Sequence, residues 1–265
     1  MLTMDDAVRF EDLNFIPLVD HVHPMTPSIQ QQTLAIPGRS GLWNFGTEIG
    51  ERHFSIPLAI PGERIIQQHD LNRLVAFFLD KRGQPREVKI VFDYEPDKFY
   101  KVTLAQQINP SRLVGVTTFD LPLAAYDPHK YLNVESDEIT WGSTDVKFNS
   151  LSITYGHEAV GLVQVTSART INYQVLGSFI KPTITISGTG SNVTLSANGK
   201  SITLPNFNSD TWIIDGSDFS VKRNGVETIL DGIDFLEFVS GDNSLQITGS
   251  NLNFSLSIKY RDKFL

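Results

Sequence analysis

The two side chains best spaced for chemistry are His21 and His23, in Pro17-Leu18-Val19-Asp20-His21-Val22-His23-Pro24. Alternate residues of an extended strand project to one side, so a His-x-His pair can place two imidazoles on one divalent metal. A metal-dependent hydrolase built on His21 and His23 would need further ligands. The remaining histidines, His53, His69, His129 and His157, stand in no recognisable ligand motif. The competing reading is two histidines in a loop or strand edge ahead of Pro24.

That pair is similar to the one in metal-dependent amidohydrolases, with departures. Their acid stands two residues before the first histidine, whereas Asp20 is adjacent to His21, and the alternating strands and helices of their barrel are missing. Other chemistries find less support. The chain has no cysteine, which excludes thiol catalysis, disulfides and thiolate metal sites. No G-x-S-x-G nucleophile elbow is present. The acid pairs Asp5-Asp6 and Asp137-Glu138 read as solvated surface rather than as a glycosidase pair. Gly188-Thr189-Gly190 lacks the following helix and Lys-Ser/Thr of a phosphate loop, and reads as a turn. No catalytic, cofactor-binding or metal residue is assigned, and no cofactor is expected.

Aromatic residues suggest binding instead. Trp43 and Phe45 lie in a glycine-rich stretch, Ile36 to Gly46, that reads as a loop with Arg39 and Arg52 nearby. These four are the candidate protein-contact residues, since aromatics on a loop more often mark a contact surface than a buried core; the alternative is local packing onto the domain's own surface. Trp212, in Asp210-Thr211-Trp212-Ile213-Ile214-Asp215-Gly216, could stack on a sugar ring if exposed. The adjacent Ile213 and Ile214 favour the alternative, a Trp packed in a core.

Composition bounds the partners. The 265 residues carry a formal net charge of −8, split at Tyr131 into 13 basic and 16 acidic residues before and 9 and 14 after. Neither half is basic, which argues against a phosphate-neutralising nucleic-acid binder. No apolar run reaches membrane-spanning length, so no membrane insertion is expected. The N-terminus lacks the layout of a signal peptide.

The elements that would position these residues are mostly strands. His53–Ile60, Glu87–Tyr94, Phe99–Ala105 and Arg112–Leu123 alternate or run apolar over strand lengths. Pro57 and Pro122 inside them predict edges, bulges or strand ends. Leu71, Leu74, Val75, Phe78 and Leu79 recur with helical spacing and predict a helix near 70–82. Asp70 would cap it, Lys81 and Arg82 would fill its last turn, and Gly83 and Pro85 would stop it. In the second half, Asn198-Gly199 and Asn224-Gly225 predict tight type I′ hairpins. Short strands with such punctuation predict a β-sandwich. The fold class is therefore mainly β in two domains, 1–131 with the helix and 132–265 all strand, joined within Asp127–Ser150.

The order of these features resembles the distal tail proteins of long-tailed phages with non-contractile tails. The series runs from IPGRSGLWNFG and GERHFSIPLAIPG through LNRLVAFFL, KRGQP, EVKIVFDYEPDKFYKVTLA and FDLPLAAYDPHKY. It continues through KPTITISGTG, VTLSANGKSITL, TWIIDGSDFSVKRNG, FLEFVSGDNSLQITG and LSIKYRDKFL. One departure is Val239-Ser240-Gly241, where the family more often has proline before the glycine. The resemblance implies an N-terminal β-sandwich with one helix that forms a homo-hexameric ring, and a C-terminal galectin-like β-sandwich outside it. The ring would join the tail tube protein to the tail-tip protein and to receptor-binding proteins, with a channel for DNA. The protein would be made in the host cytoplasm and end at the distal end of the virion's tail, without enzymatic activity. A second function class is a carbohydrate-binding module contacting host cell-wall sugars through Trp212.

Overall fold

The computed structural model describes residues 1–136, 138, 161–230 and 232–265. The chain divides into two compact units, Met1–Lys130 and Tyr131–Phe264. Both are built from strands, and one α-helix occurs among the described residues. From residue 139 onward, the Asp127–Ser150 stretch expected to hold the junction lies outside them.

The first unit is organised on the antiparallel pair Arg52–Pro61 and Val116–Ala125, in unbroken register from Arg52↔Ala125 to Pro61↔Val116. Around it the strands follow the order Val8–Arg9, Leu2–Met4, Val88–Phe92, Lys98–Leu104, Val116–Ala125, Arg52–Pro61, Ile16–Pro17. Alternation puts Phe54, Ile56, Leu58, Val88, Ile90, Phe92, Leu121 and Leu123 into one core with Leu2, Met4, Phe10 and Phe15.

Pro57 and Pro122 lie in the middle of the longest ladder, opposite Asp120 and Ser55, not at its ends or at a bulge. In an antiparallel strand a residue's N and O face the same neighbour. The Pro57 carbonyl accepts from Leu18 N at 2.9 Å and the Pro122 carbonyl from Ala105 N at 3.0 Å. Each missing N–H therefore faces a partner that pairs over only a residue or two, where few ladder bonds are lost.

The helix runs Arg64–Phe78, beginning and ending earlier than its apolar spacing predicts. Its inner side carries Leu71, Leu74 and Phe78, but its first turn is held by a polar residue. Buried Gln67 donates to the carbonyls of Ile60 (3.2 Å) and Gly62 (2.9 Å) and accepts from Thr117 Oγ1 (2.7 Å). Ile65 and Ile66 face outward there, which removes the apolar signal. Asp70 is no cap: it sits inside the helix, buried, and accepts from Asn14 Nδ2 at 2.9 Å. Leu79 is already extended and bridges Pro85, so Lys81 and Arg82 fall in a turn. Asp80 ties that turn through the amides of Arg82 and Gln84, both at 2.8 Å.

Among the described residues, the second unit is built mainly on an eight-stranded sheet with one large core. Its axis is the pairing of two long strands, Thr183–Ala197 and Gly241–Lys259. The early half of the first pairs with Phe207–Asp215 and the late half with Lys200–Leu204. Ile184 and Ile186 are buried before the register shifts between Thr189 and Thr194, and Val193, Leu195 and Ala197 after them. The buried parity thus switches from even to odd. Leu245 and Ile247, then Leu252, Phe254, Leu256 and Ile258, show the same switch on the partner. Each bulge resets which face turns inward, so both halves of each strand contribute to one core.

Gly188-Thr189-Gly190 lies inside this bend, not at a chain reversal. Gly188 has φ +144°, and a Cβ there would stand 2.5 Å from Asn253 O and 2.6 Å from Phe254 Cα. The two Asn-Gly pairs do form hairpins, with φ of 51° and 78° at Asn198 and Gly199 and 51° and 81° at Asn224 and Gly225. Gly188→Ala is expected to lower the stability of the second unit by about 2–4 kcal/mol, because the obstruction is backbone that cannot step aside. Urea unfolding of the full chain against wild type measures this.

Candidate functional site

The stretch holding Trp43 and Phe45 is not a loop. Ile29–Ala35 and Leu42–Ile49 form a two-stranded antiparallel sheet of their own, turning through Ile36 to Gly41. Every residue of both strands is exposed. The apolar cross-strand pairs are Ile29↔Ile49 at the base and Leu34↔Trp43 toward the tip. Phe45, 67% exposed, lies where the register shifts. At the tip the Arg39 guanidinium sits 4.5 Å from the Trp43 ring centroid. Arg39, Trp43 and Phe45 are thus brought together on an exposed arm.

Arg52 does not join them. It is 1% exposed and lies past the arm's root, where Nη1 donates to the Pro24 carbonyl at 2.7 Å. Its guanidinium carbon is 5.3 Å from the Tyr100 ring centroid, and its Nε and Nη2 have no hydrogen-bond partner. Adjacency to the glycine-rich stretch placed it on the arm. The strand that begins at Arg52 instead turns that side chain inward.

The root is continuous with the sheet. Residues 16–24 run back along Arg52–Pro61 through Ile16↔Ala59, Pro17↔Leu58 and the Val22↔Ser55 bridge. Ser28 N bonds to Glu51 O at 3.1 Å and Gly50 N to Ser28 O at 2.9 Å, closing the neck.

His23 is fixed in this root by an aromatic cage. Its ring stacks on Phe92 with centroids 4.5 Å apart at 12°. Nδ1 is hydrogen-bonded to Tyr94 Oη, and Nε2 to Tyr100 Oη at 3.1 Å. His21 Nε2 also reaches Tyr94 Oη, at 3.3 Å. Burial and then the neighbouring Arg52 charge hold the His23 pKa down at about 4. Burial pushes both tyrosines up to about 12, keeping the phenols protonated.

With both nitrogens of His23 taken by phenols beside a cation, the pair is not arranged to receive a metal. Among the described residues no group of three or more His, Asp or Glu side chains could hold one. His53 pairs with Glu51 at 3.2 Å and lines a polar groove with Gln106, Gln107, Asn109 and Asp120. His69 and His129 pair with the acids beside them, Asp70 and Asp127, and His157 lies outside the described residues. Sequence reasoning missed Phe92, Tyr94 and Tyr100, which lie some seventy residues from the histidines; their only local signal was the aromatic run ending Glu87–Tyr94.

Trp212 is buried, 0% exposed, and packs against Phe207 at 6.4 Å with Arg223 5.2 Å from its ring. A sugar cannot reach it there, so the alternative stacking role is ruled out and Trp212 takes the core position that Ile213 and Ile214 favoured.

Comparison with known proteins places these features. Residues 8–125, spanning the arm, its root and the helix, match the family model of the phage tail protein RIFT-related domain. Residues 8–125 are thus similar to a phage tail domain. Its whole fold is similar to that of the Dit protein of phage SPP1, described as a paradigm of the hub adsorption apparatus in phages infecting Gram-positive bacteria. The TM-score is 0.72 at 16% identity, covering 100% of both chains. Chains of the phage p2 baseplate in its activated conformation, with strontium or calcium, match at TM-score 0.41 and 12% or 13% identity, over 95% of this chain and 92% of theirs. No curated protein matches. The expected resemblance to siphophage distal tail proteins is thus met by the phage tail domain and by the SPP1 Dit fold.

The cage makes a pH prediction. Between about 6.5 and about 4 the unfolded chain binds a proton at His23 that the folded chain refuses. The contribution of the neutral cage is complete above that window, falls as pH drops through it, and is flat below. Urea unfolding at stepped pH is expected to show this slope, reduced in His23→Gln.

Proposed function

We propose that this protein is a structural, non-enzymatic component of a phage tail tip or baseplate, a hub that self-assembles into a ring through its first unit. The observation that carries the reading is the arm. An isolated two-stranded ribbon is at best marginally stable in water, yet this one exposes Ile29, Leu34, Leu42, Trp43, Phe45 and Ile49. Such a ribbon becomes worth its ordering entropy when a partner covers it, and Trp and Phe are effective anchors for that. The phage tail domain over residues 8–125 and the Dit-like fold support a tail partner. On this reading the arm lies on a second copy of the chain, and six copies close the ring.

The ring would connect the tail tube protein to the tail-tip protein and receptor-binding proteins at the distal end of the virion's tail. The second unit would be the galectin-like β-sandwich. The net charge of −8 suits a DNA conduit, since acidic walls repel phosphates passing through.

Size-exclusion chromatography with light scattering on the full chain tests this. The expected mass is about six times the 29.6 kDa protomer. Trp43→Ala/Phe45→Ala is expected to release monomers with unchanged circular dichroism, since losing such an anchor costs about 2–4 kcal/mol at an interface. A wild-type monomer at every concentration, or a ring indifferent to both substitutions, counts against the arm as the ring contact.

A further inference from the structure

The arm's direction has to be set at its root. Its strands pair only with each other, and every residue in them faces solvent. What holds it to the body is the neck at Ser28, Gly50 and Glu51, and behind the neck the contacts of residues 22–24 with the strand that starts at Arg52.

Arg52 spans this junction. It is the first residue of Arg52–Pro61 after the arm, and it grips the Pro24 carbonyl on the strand entering the arm. It therefore fastens the incoming segment to the outgoing one below the neck. One residue before Pro24, His23 fastens the same segment to a different part of the sheet, through Tyr94, Tyr100 and the face of Phe92.

We infer that Arg52 and His23 together form a latch that sets the direction in which the arm leaves the body, closed while His23 is neutral and opened when it is protonated. Both are positioning residues that act through the arm's root, Arg52 from a buried place and His23 from its aromatic cage. The inference concerns this chain alone and stands whether or not that partner is a second copy.

The charges around His23 account for the sign. Arg52 faces it from the Arg52–Pro61 strand, Tyr100 from Lys98–Leu104, and Tyr94 and Glu95 from the turn between Val88–Phe92 and Lys98–Leu104, with Lys130 beyond and His21 on its own segment. Glu95 is the one acid in the set, and it is already engaged by Lys98 at 2.9 Å and Lys130 at 2.8 Å. A proton on His23 would thus meet burial and the Arg52 guanidinium, which together outweigh the attraction of Glu95. Arg52 already has two donors without partners. The least costly relief is for residues 22–24 to move away from the sheet, which surrenders the bond to the Pro24 carbonyl and loosens the neck.

The chain has no cysteine, so two introduced ones label cleanly. Gln31→Cys on the arm and Lys101→Cys on the body, both exposed and both in the first unit, are spin-labelled. Distances are measured by pulsed electron resonance in the full chain, diluted with unlabelled protein to the monomer fraction. At about pH 7.5 a narrow distribution is expected, broadening at least about twofold near pH 4, while His23→Gln keeps one width across the range. Arg52→Met is expected to be broad already at pH 7.5, with Arg52→Lys intermediate because it keeps one donor for Pro24. Circular dichroism at each pH verifies that the sheet persists, and if Arg52→Met fails to fold, the comparison of wild type with His23→Gln decides. A wide wild-type distribution at pH 7.5, a width that ignores pH, or equal broadening in wild type and His23→Gln overturns the latch.

Discussion

Much of the first unit depends on one ladder, the unbroken pairing of Arg52–Pro61 with Val116–Ala125. It supplies Phe54, Ile56, Leu58, Leu121 and Leu123 to the core. Through Thr117 it receives Gln67, the residue that holds the helix's first turn. Beyond Arg52 the chain continues through the neck as Leu42–Ile49 and becomes half of the arm. One strand direction therefore serves as scaffold at one end and as an exposed ribbon at the other. The prolines within the ladder are tolerated because each withholds its N–H from a neighbour that barely pairs.

The two ends of this system obey opposite rules. In the body, side chains earn their place by burial, at roughly 25 cal/mol per Å² of apolar surface removed from water. On the arm the apolar residues stay in water, and on the proposed function their stabilisation would come from assembly. A protein that carries such a segment trades solubility of the free chain for a contact available only to a partner. Arg39 over Trp43 moderates that trade by keeping a charge on the aromatic surface.

What could be read from the sequence followed from how local each determinant is. The hairpins at Asn198-Gly199 and Asn224-Gly225 were legible because two adjacent residues carry the turn chemistry. Trp43 and Phe45 were legible as surface aromatics, yet their stretch was misread as a loop because glycines at 38, 41 and 46 mimic one. The helix was found from Leu71, Leu74 and Phe78 but started too late, since a buried Gln67 has no apolar signature. Arg52 was assigned to the wrong surface because sequence proximity cannot show that the neck lies between it and Trp43. The cage of His23 was illegible for a stronger reason: Phe92, Tyr94 and Tyr100 reach it only through sheet formation. Gly188-Thr189-Gly190 looked like a reversal because glycines permit a bend and a turn alike, and only the partner strand decides between them.

The pairing of Thr183–Ala197 with Gly241–Lys259 also governs how the second unit can form. Its central strand is Gly241–Lys259, which pairs with Val163–Val165, Arg169–Val175 and Thr183–Ala197. These contacts span many tens of residues, so loop closure comes before any reward from burial. The tight hairpins can form at once, but they remain islands until the last long strand arrives to join them. During synthesis Thr183–Ala197 can pair with Lys200–Leu204 and Phe207–Asp215 first, whereas Val163–Val165 and Arg169–Val175 must wait for Gly241–Lys259, so this unit is expected to complete its fold slowly.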